Sequence, residues 1–261
     1  MNLRTFCLSV CTALCSFSTI QAESSSINTQ HEVYIGPESY IIRRMREGGT
    51  QQMGYLNGVR IGYDRIKGNT LYYGIDAYAA FGCLEGATSG GSTIYSRKAD
   101  YEIEGRIGFT VQRTNWPGQP SITPFLGVGY FEGTNEYLDP SPLTVRFRNT
   151  YPYTRVGFLI RFYCAQGTRI GFDFEAKYMY EGHQEVTDDP FNPDMRMLVM
   201  NKLQYTANMP ITWKISNSPF SLSAVPFYRF RHLGGREAFP VDFKDTRFHL
   251  YGVRLVLVYQ R

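Results

Sequence analysis

The chain has 261 residues and a formal net charge of +4, from 27 lysines and arginines against 23 aspartates and glutamates. The basic residues are spread along its whole length, so no basic arm points to nucleic acid, and none is expected as a partner. With 25 glycines, 20 tyrosines and 18 phenylalanines and no break in composition, one domain of aromatic-rich strands is favoured over two unlike domains.

Residues 1–22 read as a secretory signal peptide. Arg4 supplies the positive start, residues 6–20 are largely apolar, and Ala22 is a small residue at the cleavage point. Cys11 and Cys15 follow Val10 and Leu14, where a bacterial lipoprotein signal would want a small residue, so lipidation is not expected. No later stretch approaches 18 uninterrupted apolar residues, which excludes spanning helices. A chain of this kind that crosses a membrane does so with strands.

Residues 23–38 are polar and short of pattern and are expected as a flexible lead-in, with a barrel over 39–261. The first strand, 40–45, is weak because Arg43 and Arg44 are adjacent and one of them must face the wrong way. Clean alternation follows over 51–64 and 70–82, joined by the turn Lys67-Gly68-Asn69. A Gly/Ser-rich loop is expected over 84–99. Next, 100–112 sets Tyr101, Ile103, Ile107, Phe109 and Val111 against Glu102, Glu104, Arg106, Gly108 and Thr110. A turn at 115–118 leads to a less regular strand over 122–131 with aromatics on both faces. A second long loop, 132–149, precedes the strand 150–163. The turn 165–167 then opens the strand beginning at Arg169, where Ile170, Phe172, Phe174, Ala176, Tyr178 and Tyr180 oppose Arg169, Gly171, Asp173, Glu175, Lys177 and Met179. After the loop 181–197 come strands over 202–215 and 220–231, the loop 232–245, and a last strand over 246–260 with Tyr251, Val253, Leu255, Leu257 and Tyr259 on one face.

Greasy rows alternating with polar ones, and short turns alternating with long loops, are the pattern of an all-β, antiparallel, up-and-down transmembrane β-barrel of about ten strands, or eight if the weak early ones stay out of the wall. A soluble barrel with the apolar row inside is rejected on volume. The Tyr, Phe, Leu and Ile rows would overfill a small barrel, whereas the opposite row, rich in glycine, leaves room for interleaved charge. Cys83 and Cys164 fall at opposite ends of a wall about 25 Å tall. Bridged Cα atoms must approach within about 7 Å, so both thiols are expected to be free.

Over 40–261 the chain resembles the small bacterial outer-membrane β-barrel proteins, in pattern and in no specific motif. The resemblance is sharpest in the last strand, Tyr251 to Tyr259, which in that family serves as an assembly signal; the family usually ends on an aromatic residue, and this chain ends on Arg261. It implies a bacterial outer-membrane location, with lipid and lipopolysaccharide around the wall and a host or extracellular partner reached through the loops.

The inward row carries Arg60, Asp76, Glu102, Glu104, Arg106, Arg155, Arg161, Asp173, Glu175, Lys177 and Arg254. These charges either form a constriction that selects solutes or pair with one another and plug a narrow barrel. Both signs occur in comparable numbers and buried charges need partners, which favours the plug. The loop 181–194 gathers Glu181, Glu185, Asp188, Asp189 and Asp194, oxygen ligands that could hold a divalent cation, together with one histidine, His183. It lacks a glycine-centred calcium loop and is full of turn formers, so a solvated surface loop is the expectation, with no metal and no cofactor. Ten-stranded outer-membrane proteases place acids and a histidine at the extracellular rim, where His183, Asp188, Asp189, His232, Asp242 and Asp245 fall here. No nucleophile has a recognisable setting, and neither His232 nor His249 has a motif partner. The favoured reading is a non-enzymatic barrel with extracellular loops for surface contact, 87–92 and 135–142 among them. A small-solute pore comes second and a rim-site hydrolase third.

Overall fold

Period-two alternation can satisfy both water and lipid only if each strand's backbone is paired on both edges, and the chain does this by closing on itself. The computed structural model describes residues 30–113, 115–116, 118–142, 144–164, 167–235 and 244–261. The expected signal peptide, residues 23–29 of the expected lead-in, and Asp242 lie outside them. The elements are β1 (Gln30–Arg46), β2 (Gln51–Ile66), β3 (Thr70–Ala87), β4 (Thr93–Gln112), β5 (Ser121–Leu138), β6 (Arg146–Tyr163), β7 (Thr168–Met179), β8 (His183–Thr187), β9 (Met195–Leu198), β10 (Leu203–Asn208), β11 (Ile211–Lys214), β12 (Phe220–Leu233) and β13 (Thr246–Gln260).

Each neighbour pair is antiparallel, and β13 returns to β1 with Tyr40 opposite Gly252. β10 and β11 form one stave between β7 and β12. It is interrupted at Met209 and Pro210, where proline has no N–H to give the ladder. The wall is therefore a closed barrel of ten staves, the expected fold class. The β8–β9 hairpin is stitched to the top of β6, with His183 opposite Thr150. The strand ends at Gln30, Ile66, Thr70, Gln112, Ser121, Tyr163, Thr168, Lys214, Phe220 and Gln260 lie at one end, called lower here. Those at Arg46, Gln51, Ala87, Thr93, Leu138, Arg146, Met179, Leu203, Leu233 and Thr246 lie at the upper end.

Outside, the barrel is greasy where a soluble protein would be polar: Leu126 is 62 % and Val128 59 % exposed, within a continuous belt that includes Ile61, Ile75, Ile103, Val156, Phe174 and Leu255. Aromatic side chains bound the belt. Tyr228, Tyr251, Tyr205 and Phe230 cluster at its upper edge, and Phe220 packs on Tyr259 at its lower edge. Tyr251 and Tyr259 are eight residues apart on β13, which at about 3.3 Å per residue and a tilt near 40° sets their Cα atoms roughly 20 Å apart along the barrel axis, somewhat less than the apolar band of roughly 25 Å that such rings flank.

Three expectations are corrected by this architecture. Residues 30–38 are not a lead-in but the first half of β1, in which Glu32, Tyr34 and Glu38 point inward while Val33 and Ile35 face out. The loops expected over 84–99 and 132–149 shrink to 88–92 and 139–145, because β3 and β4 pair as far as Ala87 opposite Thr93, and β5 and β6 as far as Glu136 opposite Arg146. Asn135, expected in a loop tip, is buried in β5 and accepts a hydrogen bond from Ser96 Oγ at 3.0 Å. β4 runs for 20 residues, about twice the 9–11 that cross a bilayer, so the wall stands well above the upper aromatic edge. That height also resolves the Arg43 and Arg44 conflict: Arg44 faces in, and Arg43 faces out above the belt, where water reaches it. Cys83 and Cys164 are free and exposed.

The belt assignment has a direct test. Phe174 sits between the two aromatic edges, in register with Phe158 and Ala207, so Phe174→Arg should destabilise the barrel by about 2–4 kcal/mol, the midplane cost of an arginine. Leu198→Arg, on β9 above the belt, should cost less than about 1 kcal/mol. Urea unfolding in lipid bilayers measures both; equal costs would contradict the placement of the membrane.

Candidate functional site

Strand alternation sends one row of every stave into the lumen, and register decides which inward side chains meet. All eleven charges expected there line one cavity of about 100 Å³ in the lower lumen. They do so with charges outside that expectation: Glu32, Asp64, Arg169 and Arg229 line the same cavity, and Glu38 is buried beside it. Eight basic and seven acidic side chains line it, so most charges find an opposite partner.

The pairs act as struts between staves. Arg155 on β6 lies between Glu104 of β4 and Glu175 of β7. Lys177 bridges to Glu102 and stands 3.4 Å from Glu104 and 3.7 Å from Glu175. The Tyr153 hydroxyl lies 2.6 Å from Glu102 and 2.9 Å from Glu104, which share its one proton as acceptors. Arg161 pairs with Asp173, Arg106 with Asp64 at 3.1 Å, and Arg169 reaches across to Glu32 at 2.6 Å. Glu38 is the most heavily shared acid: Arg60 lies 2.8 Å away, Arg229 2.7 Å and Arg254 3.2 Å. Arg60 also meets Asp76, which accepts the Tyr34 hydroxyl at 2.7 Å.

Glycines in the inward row make room for these groups. A side chain at Gly62 would strike the Tyr34 ring, one at Gly129 the Tyr153 ring, and one at Gly127 the stem of Arg155. The expectation of a polar, glycine-lined interior is corrected in the upper half. There Tyr40, Ile42, Leu56, Tyr78, Leu84, Phe131, Tyr151, Met179, Phe227, Phe248 and Leu250 form a buried apolar cluster inside the barrel. Charges cross it where rings support them: Arg231 lies 4.3 Å from the Phe131 centroid and pairs with Asp100 at 2.6 Å, which Lys98 approaches at 2.8 Å. Lys98 is not legible as an inward charge in the sequence, because 84–99 reads there as a loop, and Asp100 stands at its very edge. The alternation of Glu32, Tyr34 and Glu38 with Val33 and Ile35, and of Arg229 and Arg231 with Tyr228 and Phe230, is the available signal for the rest.

At the rim the expected acidic residues disperse. Glu185 lies 3.4 Å from Arg148 and 3.6 Å from Arg196, and Asp188 lies 3.6 Å from Arg146. Asp189 accepts hydrogen bonds from the Phe191 N–H at 2.9 Å and the Asn192 amide at 3.1 Å, which hold its carboxyl below the usual carboxylate range. Of the histidines expected at a hydrolytic rim, His232 pairs with Asp245, a carboxylate also 3.8 Å from Lys202 and 3.9 Å from Arg247. His232 alternates with the inward Arg231 and Leu233, so this pair sits on the outer wall rather than in a cleft. His183 lies on β8 opposite Thr150 and Leu198.

A closed, even-stranded antiparallel wall with an apolar outer belt and an ion-paired lumen defines an integral β-barrel membrane protein. No family model matches the chain, and no curated protein matches it. Among solved structures it is similar to the outer membrane protease OmpT from Escherichia coli, at 10 % identity and a TM-score of 0.49, covering 94 % of this chain and 100 % of that one. It is similar also to the translocator domain of the autotransporter NalP from Neisseria meningitidis, at 8 % identity and a TM-score of 0.48 over 98 % of this chain and 97 % of that one. A major outer membrane protein from Thermus thermophilus matches at 11 % identity with a TM-score of 0.42, over 90 % of this chain and 100 % of that one.

The strut network predicts unequal costs for two conservative changes. Glu38→Gln strips three guanidiniums of their shared carboxylate and should cost about 3–5 kcal/mol, the range for breaking a buried ion pair. Glu175→Gln leaves Arg155 its second partner, Glu104, and should cost roughly half as much or less. Comparing the two unfolding midpoints in detergent checks the ranking, which equal losses would contradict.

Proposed function

We propose that this protein is a non-conducting barrel of the bacterial outer membrane whose upper end serves as a rigid surface for contact with a partner, without catalysis. The observation that carries the reading is the filled interior, with paired charges below and the buried cluster around Leu56, Phe131 and Phe248 above. Paired and packed side chains leave no broad water path, and ten staves fall short of the 16–18 strands of water-filled porins. In barrels of this class short turns face the periplasm and longer connections the exterior, which puts the upper end outside the cell.

That end is built of strand rather than of free loop. Cross-strand ion pairs such as Arg148 with Glu132 at 3.0 Å and Arg146 with Glu136 at 2.9 Å stiffen its outer wall. A partner would meet a preformed surface at the β8–β9 hairpin and at residues 88–92 and 139–142, with little ordering entropy lost. Around the belt the partners are outer-membrane lipid and lipopolysaccharide, toward whose phosphates the exposed Arg43 and Arg247 above the aromatic edge are suited.

Purified protein in a planar bilayer should show little steady conductance, and a combined alanine replacement of Glu104, Arg155, Glu175 and Lys177 should open a leak. Large ion-selective currents from the unaltered protein would overturn the reading in favour of a small-solute pore. Peptide or lipid hydrolysis lost on His232→Ala would replace it with an enzyme.

A further inference from the structure

The charges of the lumen are not evenly mixed around its wall. The four elements β10 to β13 send inward Thr206, Asn208, Thr212, Ser223, Arg229 and Arg254 at the level of the cavity, and none of these four elements contains an aspartate or glutamate. The acids stand on β1 to β7. Of these, Asp64, Glu104 and Asp173 are each engaged by a cation of their own side, Arg106, Arg155 and Arg161. Arg229 and Arg254 are left to share Glu38 with Arg60. Since Asp76 also belongs to Arg60, three guanidiniums meet two carboxylates.

Hydrogen-bond geometry points the same way. The Arg229 side chain is 5 % exposed, yet its Nη1 has no acceptor among the described residues, and its Nη2, 2.7 Å from Glu38, is outside hydrogen-bonding geometry. Nε of Arg254 is likewise near Glu38 without a bond to it. With Glu38 the lower lumen holds eight acids against eight cations, but they are unevenly placed: buried guanidinium donors need acceptors, and the local excess of positive charge around Arg60, Arg229 and Arg254 favours an opposite one there. Water supplies the first and not the second, whereas an anion supplies both.

We propose that the lower lumen is a binding site for a small inorganic anion, held by the guanidiniums of Arg229 and Arg254 and flanked by Thr206, which is opposite Arg229 in the β10–β12 register. The cavity of about 100 Å³ has room for a halide or a single phosphate. The inference needs the barrel but not the proposed surface role, since a dead-end pocket and a narrow pore could both hold the ion.

The test uses the purified, folded barrel in detergent micelles at fixed ionic strength, exchanging a bulky organic sulfonate for inorganic phosphate. Phosphate should raise the thermal unfolding midpoint with saturable concentration dependence, and the phosphorus NMR line of phosphate should broaden in the presence of protein. Arg254→Gln should weaken the apparent affinity by at least about tenfold, the effect of losing a charge-assisted contact. Glu38→Gln removes the competing carboxylate and should tighten it, so that phosphate restores more of this variant's midpoint than of the unaltered protein's. If Glu38→Gln does not fold, Arg254→Gln and the NMR line decide alone. Midpoints that follow ionic strength only, or equal broadening with and without Arg254, would overturn the site and leave the donors to water.

Discussion

Closure of the hydrogen-bond ladder is the constraint on which everything else rests. In hydrocarbon an unpaired backbone N–H or C=O has no water to turn to, so a sheet can cross only if it has no edge. Here β1 finds β13, and β7 is paired on one side by β6 and on the other by the broken stave β10 and β11. The break at Pro210 is tolerated because the Pro210 carbonyl still accepts the Gly171 N–H at 2.7 Å, and the Met209 N–H reaches the Pro226 carbonyl at 3.0 Å. A proline in the middle of a stave thus removes one donor without opening the wall.

Closure fixes the diameter, and the diameter forces the interior to be packed. Ten staves enclose a space that inward side chains can nearly fill, so the lumen behaves like a protein core rather than like solvent. In the lower half that core is made of charge, stable because opposite signs project from different staves and glycines beside them leave the large groups room. In the upper half it is apolar, and tyrosines join the two. Tyr153 belongs to the apolar cluster and its one hydroxyl proton is shared by the two glutamates beneath it, while Arg229 rests 4.2 Å from the Phe227 centroid. The lower lumen lies level with the apolar belt, whereas the upper cluster extends into the part of the wall that stands in water. Above the membrane the barrel holds itself together as a soluble protein does, by an inner apolar core and outer polar pairs.

Sequence alone determined the features that are local and periodic. Alternation places Phe172, Phe174 and Tyr178 on one face and Asp173, Glu175 and Lys177 on the other whatever the neighbours are, because successive side chains of a strand must point oppositely. From that followed the barrel class, about ten staves with eight left open, free cysteines and the inward side of eleven charges. What the tertiary structure decided depends on register and height, which one strand cannot show. Residues 84–99 and 132–149 read as loops because lipid-style alternation ends at the membrane edge. They continue as strand because pairing in water needs only a partner, and tall neighbours supply one. Glu38 looked like lead-in because residues 23–38 are polar and short of pattern; only closure against β13 makes it the acid that three arginines share. Which charge meets which was never written in any single segment, since Arg169 and Glu32, or Arg231 and Asp100, are brought together by the curvature of a closed wall and by nothing in the spacing between them.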